Sequence, residues 1–146
     1  MAPTLELILL TEESSEQRIQ AEQLTTSWSS NSGTGYEVDS DHPLALEQDR
    51  YSEIALCIAG ESCEIKLIFS DKYPPQSISA QRWNAEYISS GKDISDEVRD
   101  KSEQVEVEDN KIIVYDDGND YIYEIYAVWN NGNSRYSFYT EHNQTP

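Results

Sequence analysis

The sequence predicts an all-β sandwich folded as one domain. Three observations carry this. Apolar and polar residues alternate with a period of two along most of the chain, turn residues recur at short intervals, and no long amphipathic helix competes. The chain has 146 residues, a length at which folding buries roughly 68–70% of the unfolded surface, enough for one self-sufficient core and short for two. Residues 1–146 therefore read as a single sandwich, with an ordered core over about 5–140.

Strands are expected at residues 5–10, 23–29, 52–58, 63–70, 77–83, 104–108, 111–115, 121–129 and 134–140, which gives seven to nine. Residues 11–20 read as a short helix or a loop. Residues 93–101 read as a turn or two of helix, with Ser95 as N-cap and Val98 as its apolar contact.

Two hairpins can be registered. Asn131-Gly132 is a type I′ turn signal that would pair Ala127 with Tyr136, Ile125 with Phe138 and Tyr123 with Thr140, apolar against apolar. The same register sends Glu124, Val128, Arg135, Ser137 and Tyr139 to the other face. The second hairpin turns at Asp109-Asn110, pairing Val107 with Ile112 and Val105 with Val114 inward, and Glu108 with Lys111 outward. Between them, Tyr121 stands at the start of the penultimate strand. Sandwiches of the immunoglobulin type often carry a tyrosine there whose hydroxyl bonds the backbone just upstream, and Tyr123 would point inward. The fold class expected is thus a single immunoglobulin-like β-sandwich.

Asp and Glu number 28 against 10 Lys and Arg, a formal charge of −18. Phosphate neutralisation needs clustered cations, so nucleic acid is excluded as a partner, and an electrostatic anchor on an anionic membrane with it. The hydrophobic fraction is only 37%, but ten Tyr and three Trp separate the chain from a disordered acidic tail. No run approaches the roughly 18 apolar residues of a membrane span. The start, Met1-Ala2-Pro3-Thr4, has neither the basic nor the apolar region of a secretory signal. Either the protein is cytoplasmic or an export signal was removed, and the Ser, Asn and Tyr richness favours the second.

Cys57 and Cys63 are close in sequence. Ile54, Leu56 and Ile58 share one face, as do Cys63, Ile65, Leu67 and Phe69. If Ile58 and Ile65 both point inward the sulfurs point apart, which favours two thiols over a disulfide. Zinc is disfavoured, because only His42 and His142 could complete its four ligands.

Three groups could carry chemistry. His42 lies beside Asp39, Ser40 and Asp41, but chain neighbours rarely face each other as a hydrolytic triad requires, and the segment through Pro43 and Leu44 reads more simply as a loop. Asp116, Asp117, Asn119 and Asp120 crowd one turn with the oxygens calcium prefers, without the spacing of an EF-hand; a solvated turn is the simpler reading. Of the tryptophans, Trp129 shares parity with Ile125 and Ala127 and belongs to the core. Trp83 has the opposite parity to Ile78 and Ala80, so it is expected partly exposed on the outer face or beneath another part of the domain. With Tyr126, Arg135 and Tyr139 it would form a ligand-binding surface.

Thr26-Ser27-Trp28, Asp41-His42-Pro43-Leu44, residues 77–82 with Trp83, Tyr121-Ile122-Tyr123-Glu124, and Trp129 followed by Gly132, Tyr136 and Phe138 occur in that order. The series resembles a domain of Firmicutes, chiefly clostridial, proteins. That domain occurs as small secreted lipoproteins and as the extracytoplasmic tail of membrane zinc peptidases similar to β-lactam sensor-transducers. The similarity covers the chain from Leu5 to Tyr139, with Leu24-Thr25-Thr26-Ser27-Trp28 departing from a Gly followed by Thr-Tyr-x-Trp. No zinc-binding helix is present in the sequence, so no peptidase activity is implied. The resemblance implies an exported, non-enzymatic binding or sensor module of a Gram-positive bacterium, membrane-held only through a removed anchor. The acidic charge suits a protein, cationic peptide or neutral glycan partner better than an anionic wall polymer. The alternatives are a hydrolase using His42, a calcium-dependent enzyme at the Asp116 to Asp120 loop, and a structural spacer.

Overall fold

In β1 (Leu5–Leu10) alternation puts Leu5, Leu7 and Leu9 on one fully buried face. The structure, a computed structural model, describes residues 3–10, 16–29, 35–38, 42–46, 51–55, 62–70, 74–88, 94–115 and 117–142. Ten further strands follow among them: β2 (Glu16–Gln20), β3 (Glu22–Ser29), β4 (Gly35–Val38), β5 (Glu53–Ala55), β6 (Ser62–Phe69), β7 (Ser77–Asn84), β8 (Glu103–Val105), β9 (Lys111–Tyr115), β10 (Tyr121–Trp129) and β11 (Gly132–Glu141). The all-β sandwich is therefore the fold.

The small sheet has the order β2-β1-β6-β9, all antiparallel. The large sheet has the order β4-β3-β11-β10-β7-β8. There β3 pairs with the first half of β11, and β5 runs parallel to its end, from Tyr139 opposite Glu53 to Glu141 opposite Ala55. The chain changes sheets between β2 and β3 at a single residue, Ala21, whose N–H donates to the Leu5 carbonyl at 2.9 Å. Ala21 is buried, and its small side chain suits so tight a corner.

Between the sheets lies an apolar core in which aromatic rings dominate one end. Trp129 meets Trp28 edge-on at 5.5 Å and Phe69 at 5.4 Å, and Phe69 meets Tyr136 at 5.8 Å. Tyr123 stacks flat on Phe138 at 4.8 Å. Each such ring contributes on the order of 4–6 kcal/mol of hydrophobic stabilisation before entropy is charged. Trp129 and the inward faces of β6 and β10 are as expected. Cys63 packs at the rim of this core, while Cys57 lies outside the described residues, and with it the question of their pairing.

Both hairpins differ from expectation. In the last, Tyr123 faces Phe138, Ile125 faces Tyr136 and Ala127 faces Ser134, a slip of two residues, and the turn is Asn130-Asn131. Gly132 is the reason. Its φ is +152°, and a Cβ there would stand 2.0 Å from the Ser27 carbonyl oxygen, so this glycine serves the close approach of β3. At the other turn Asp109 and Asn110 take φ of 53° and 57°, the left-handed pair a primed turn needs, and Glu108 faces Lys111 as expected. Beyond that single bridge the strands part. Val105 pairs with Ala80 in the large sheet and Val114 with Cys63 in the small one, so the chain changes sheets at this turn as well.

β2 replaces the short helix or loop expected at its place, and β4 had no sequence signal. The strand expected at 52–58 is seen as β5, with 56–58 outside the described residues, and that at 104–108 is cut to β8. The short helix α1 (Asp96–Arg99) is capped as expected, Ser95 Oγ accepting from the Val98 N–H at 3.3 Å. Among the described residues no helix is long and apolar enough to cross a membrane.

Candidate functional site

The outer face of the large sheet carries a second, smaller apolar cluster. Strand parity sends Trp83 of β7 and Ile122 of β10 outward, directly opposite each other. They are covered by a single 3-10 turn, Pro43–Ala45, and by the segment leading into α1, with Leu44, Ala45 and Ile94 packed on them. Tyr51 ties this turn down by donating its hydroxyl to the Pro43 carbonyl at 2.9 Å. Trp83 thus leaves the inner face as its parity requires, and at only 2% exposed it is the covered ring of the two alternatives, not the partly exposed one. Its Nε1–H donates to the Arg99 carbonyl at 3.2 Å.

His42 caps the 3-10 turn. Its Nδ1 accepts the Leu44 N–H at 3.1 Å, and its ring stands edge-on to Trp83 at 4.8 Å. Burial, with the positive charges of Arg99 and Arg135, pushes its pKa down to about 4. The ring is neutral at pH 7, and with Nδ1 accepting, the hydrogen sits on Nε2.

Beside His42 opens a cleft of about 600 Å³. Its floor is Trp83, Gln81, Glu124 and Arg135, and its walls include His42, Pro43 and Arg99. Glu124 is a buried carboxylate held by two donors, Arg135 at 2.8 Å and Gln81 Nε2 at 2.9 Å. A buried charge without such partners would be costly. The Arg135 guanidinium also lies over the Tyr126 ring, 4.3 Å from its centre. A smaller recess of about 190 Å³ continues from the cleft past Tyr126.

β3 is irregular at this point. Ser134 faces Thr26 but Tyr136 faces Gln23, so β3 carries one extra residue opposite Arg135. The bulge brings Leu24 and Thr25 to the cleft.

Of the expected surface residues, Trp83, Arg135 and Tyr126 come together. Tyr139 packs against the same apolar cluster as Trp83 but does not line the cleft: its hydroxyl donates to Asp120 Oδ2 at 2.6 Å and its ring leans on Tyr51. Arg99, Gln81 and Glu124 were not singled out from the sequence. Glu124 did carry a signal, as a lone acid with outward parity between the apolar Ile122 and Tyr126.

In the acidic loop, Asp116 lies outside the described residues. Asp117 accepts from the Asn119 N–H at 3.0 Å and the Tyr121 hydroxyl at 2.5 Å. Asp120 accepts from Tyr139 and from the His142 N–H at 2.9 Å, and it contacts His142 Nδ1 at 2.5 Å. Burial works to raise both carboxyl pKa values, but these hydrogen bonds hold them below the usual range. Among the described residues no group of three or more acidic, His or Cys side chains is arranged to hold a metal ion. The Tyr121 hydroxyl bonds the Asp117 carboxylate, where the sequence led us to expect the backbone just upstream. Asp39, Ser40 and Asp41, the companions His42 would need as a hydrolase, lie outside the described residues.

The chain matches no family model, no curated protein and no solved structure. The cleft itself can do one thing well. It presents fixed hydrogen-bond donors beside an indole, on a floor whose buried acid is already paired with Arg135.

Proposed function

We propose that this chain is a non-enzymatic binding module and that its ligand site is the cleft over Trp83 and Arg135. The observation that carries the reading is the cleft itself, about 600 Å³ beside the buried Glu124 carboxylate and the half-exposed Arg135 that pairs with it. That volume lies within the usual range for small-molecule sites, and a fixed ion pair is a rigid recognition floor. His42 argues against acid–base catalysis near neutral pH, since a ring with a pKa of about 4 is a weak base.

The strand order supports an immunoglobulin-like sandwich. β1, β6 and β9 stand as strands A, B and E of such a domain, and β8, β7, β10 and β11 as C′, C, F and G. The segment from β2 to β5 is then an insertion between A and B, and it supplies the His42 wall of the cleft. An exported sensor of the Firmicutes type is the setting this reading adopts. Its support is the run of aromatic and turn residues from Thr26 to Phe138 together with that order.

The test is a panel of small compounds followed by thermal unfolding and by amide chemical shifts of the labelled protein. A compound that binds the folded state raises the midpoint by mass action. Its shifts should centre on Trp83, Arg135 and His42, and Ser102→Trp, which fills the cleft, should abolish them. Compounds that bind elsewhere, unaffected by Ser102→Trp, would return the domain to a structural spacer.

A further inference from the structure

The donors around the cleft differ in what they have left to give. Arg99 is fixed at two points: its carbonyl accepts from Trp83, and its Nε donates to the Ile94 carbonyl at 3.2 Å. Its terminal nitrogens, at the cleft wall, have no partner among the described residues. Arg135 spends one terminal nitrogen on Glu124 and rests its plane on Tyr126. A guanidinium carries five N–H groups, so hydrogens remain on both forks. His42 has its Nδ1 occupied by the Leu44 N–H, which leaves Nε2–H as a donor.

The acceptors are in the opposite state. Glu124 Oε1 already takes both Gln81 and Arg135. Asp100, the other carboxylate at the cleft, is exposed and screened by water. A ligand that brings donors would find one oxygen of the buried acid taken twice and its charge already paired with Arg135. A ligand that brings acceptors would find two planar forks and an imidazole N–H.

We infer that the cleft binds a small oxyanion, a carboxylate or phosphate group on a small organic molecule, between the Arg99 and Arg135 guanidinium groups with the His42 Nε2–H as third donor. This rests on the reading of the cleft as the ligand site. Arginine forks match the two oxygens of such a group, and Trp83 supplies a wall for the molecule's apolar part. The formal charge of −18 sets the size of the ligand: an anionic polymer would meet repulsion over the whole surface, and a single anionic group meets chiefly the local donors.

The experiment is titration of the full chain at pH 7 with sodium citrate and with inorganic phosphate, read by calorimetry and by the Trp83 indole and arginine side-chain signals. N-acetylglucosamine and oligolysine are the neutral and cationic comparisons. The expected result is saturable binding of at least one anion, with shifts at Trp83, Arg99 and Arg135, and the tighter of the two names the group. Arg99→Gln should weaken it by about tenfold or more, while losing the Ile94 bond should lower the unfolding midpoint only slightly. Arg18→Gln, which removes a cation on the small sheet, should leave it unchanged. Saturation by the sugar or by oligolysine at these signals, with none from the anions, would overturn the oxyanion and leave the cleft as a site. No shift at the cleft from any of the four would overturn both. Anion shifts that never saturate, or an Arg99→Gln affinity equal to that of the parent chain, would also overturn the oxyanion.

Discussion

The indole Nε1 of Trp83 donates to the main-chain carbonyl of Arg99 at 3.2 Å, and this bond joins a central strand to the cover of the outer face. Trp83→Phe keeps most of the packing and loses the bond, at a cost of about 1 kcal/mol. Trp83→Ala also empties the second apolar cluster and should cost about 3–5 kcal/mol in urea unfolding. An alanine cost under about 1 kcal/mol would mean that the ring is not in a packed core.

Gly132 tests the observed register of the last hairpin. Gly132→Ala should destabilise by about 2 kcal/mol or more, because φ of +152° strains an L residue and its Cβ would enter the Ser27 carbonyl. Asn131→Ala, in the turn proper, should cost far less. Equal costs at the two positions would argue for the turn at Asn131-Gly132.

His42 makes stability depend on acid. Its folded pKa of about 4 lies below the ordinary 6.5, so the unfolded chain binds the proton first. The stabilisation is complete above pH 6.5 and is lost as pH falls from there towards 4. His42→Gln should flatten the unfolding midpoint over that window. The carboxyls of Asp117 and Asp120, held below 3.8, act only at lower pH and remain as a second, separate loss.

The corner at Tyr121 makes the opposite prediction in alkali. Burial and the Asp117 hydrogen bond raise its pKa to about 12, so its contribution is complete below pH 10 and fades as pH rises through 12. Tyr121→Phe and Asp117→Asn should each cost about 1–2 kcal/mol, with the double variant costing less than their sum.

Millimolar calcium should leave the unfolding midpoint where a chelator leaves it. The carboxylates of Asp117 and Asp120 are engaged by Tyr121, Tyr139, Asn119 and His142, and a cation would have to displace those donors. A rise specific to calcium would restore the loop as a metal site.

The sequence showed faces better than partners, for a physical reason. A slip of two residues leaves every side chain of a hairpin on its own face, so alternation in β10 and β11 is satisfied equally by both registers. The same holds at Asp109-Asn110, where Val105 and Val114 point into the core whether they pair with each other or cross to opposite sheets. β2, with Ile19 as its one aliphatic residue, has almost no alternation to read and owes its form to its pairing with β1. At the site, parity was enough to send Trp83, Tyr126 and Arg135 outward. What lies over them comes from residues 42–46 and 94–102, and no local pattern announces a contact between segments so far apart. That is why His42 first looked like a candidate catalyst among its chain neighbours, and why Arg99 did not stand out.

The two apolar clusters are unequal, and this divides the molecule into tiers of opening. The inner core is sandwiched by both sheets, while the outer one is held by a short turn and a four-residue helix. The cover can lift at a fraction of the global unfolding free energy, since neither sheet need melt. Backbone amides at Leu44 and Val98 should therefore exchange with deuterium well before those of Ile125 and Phe138. A ligand bridging Arg99 to Arg135 would close that gap, so occupancy of the cleft could be read from exchange at the cover alone.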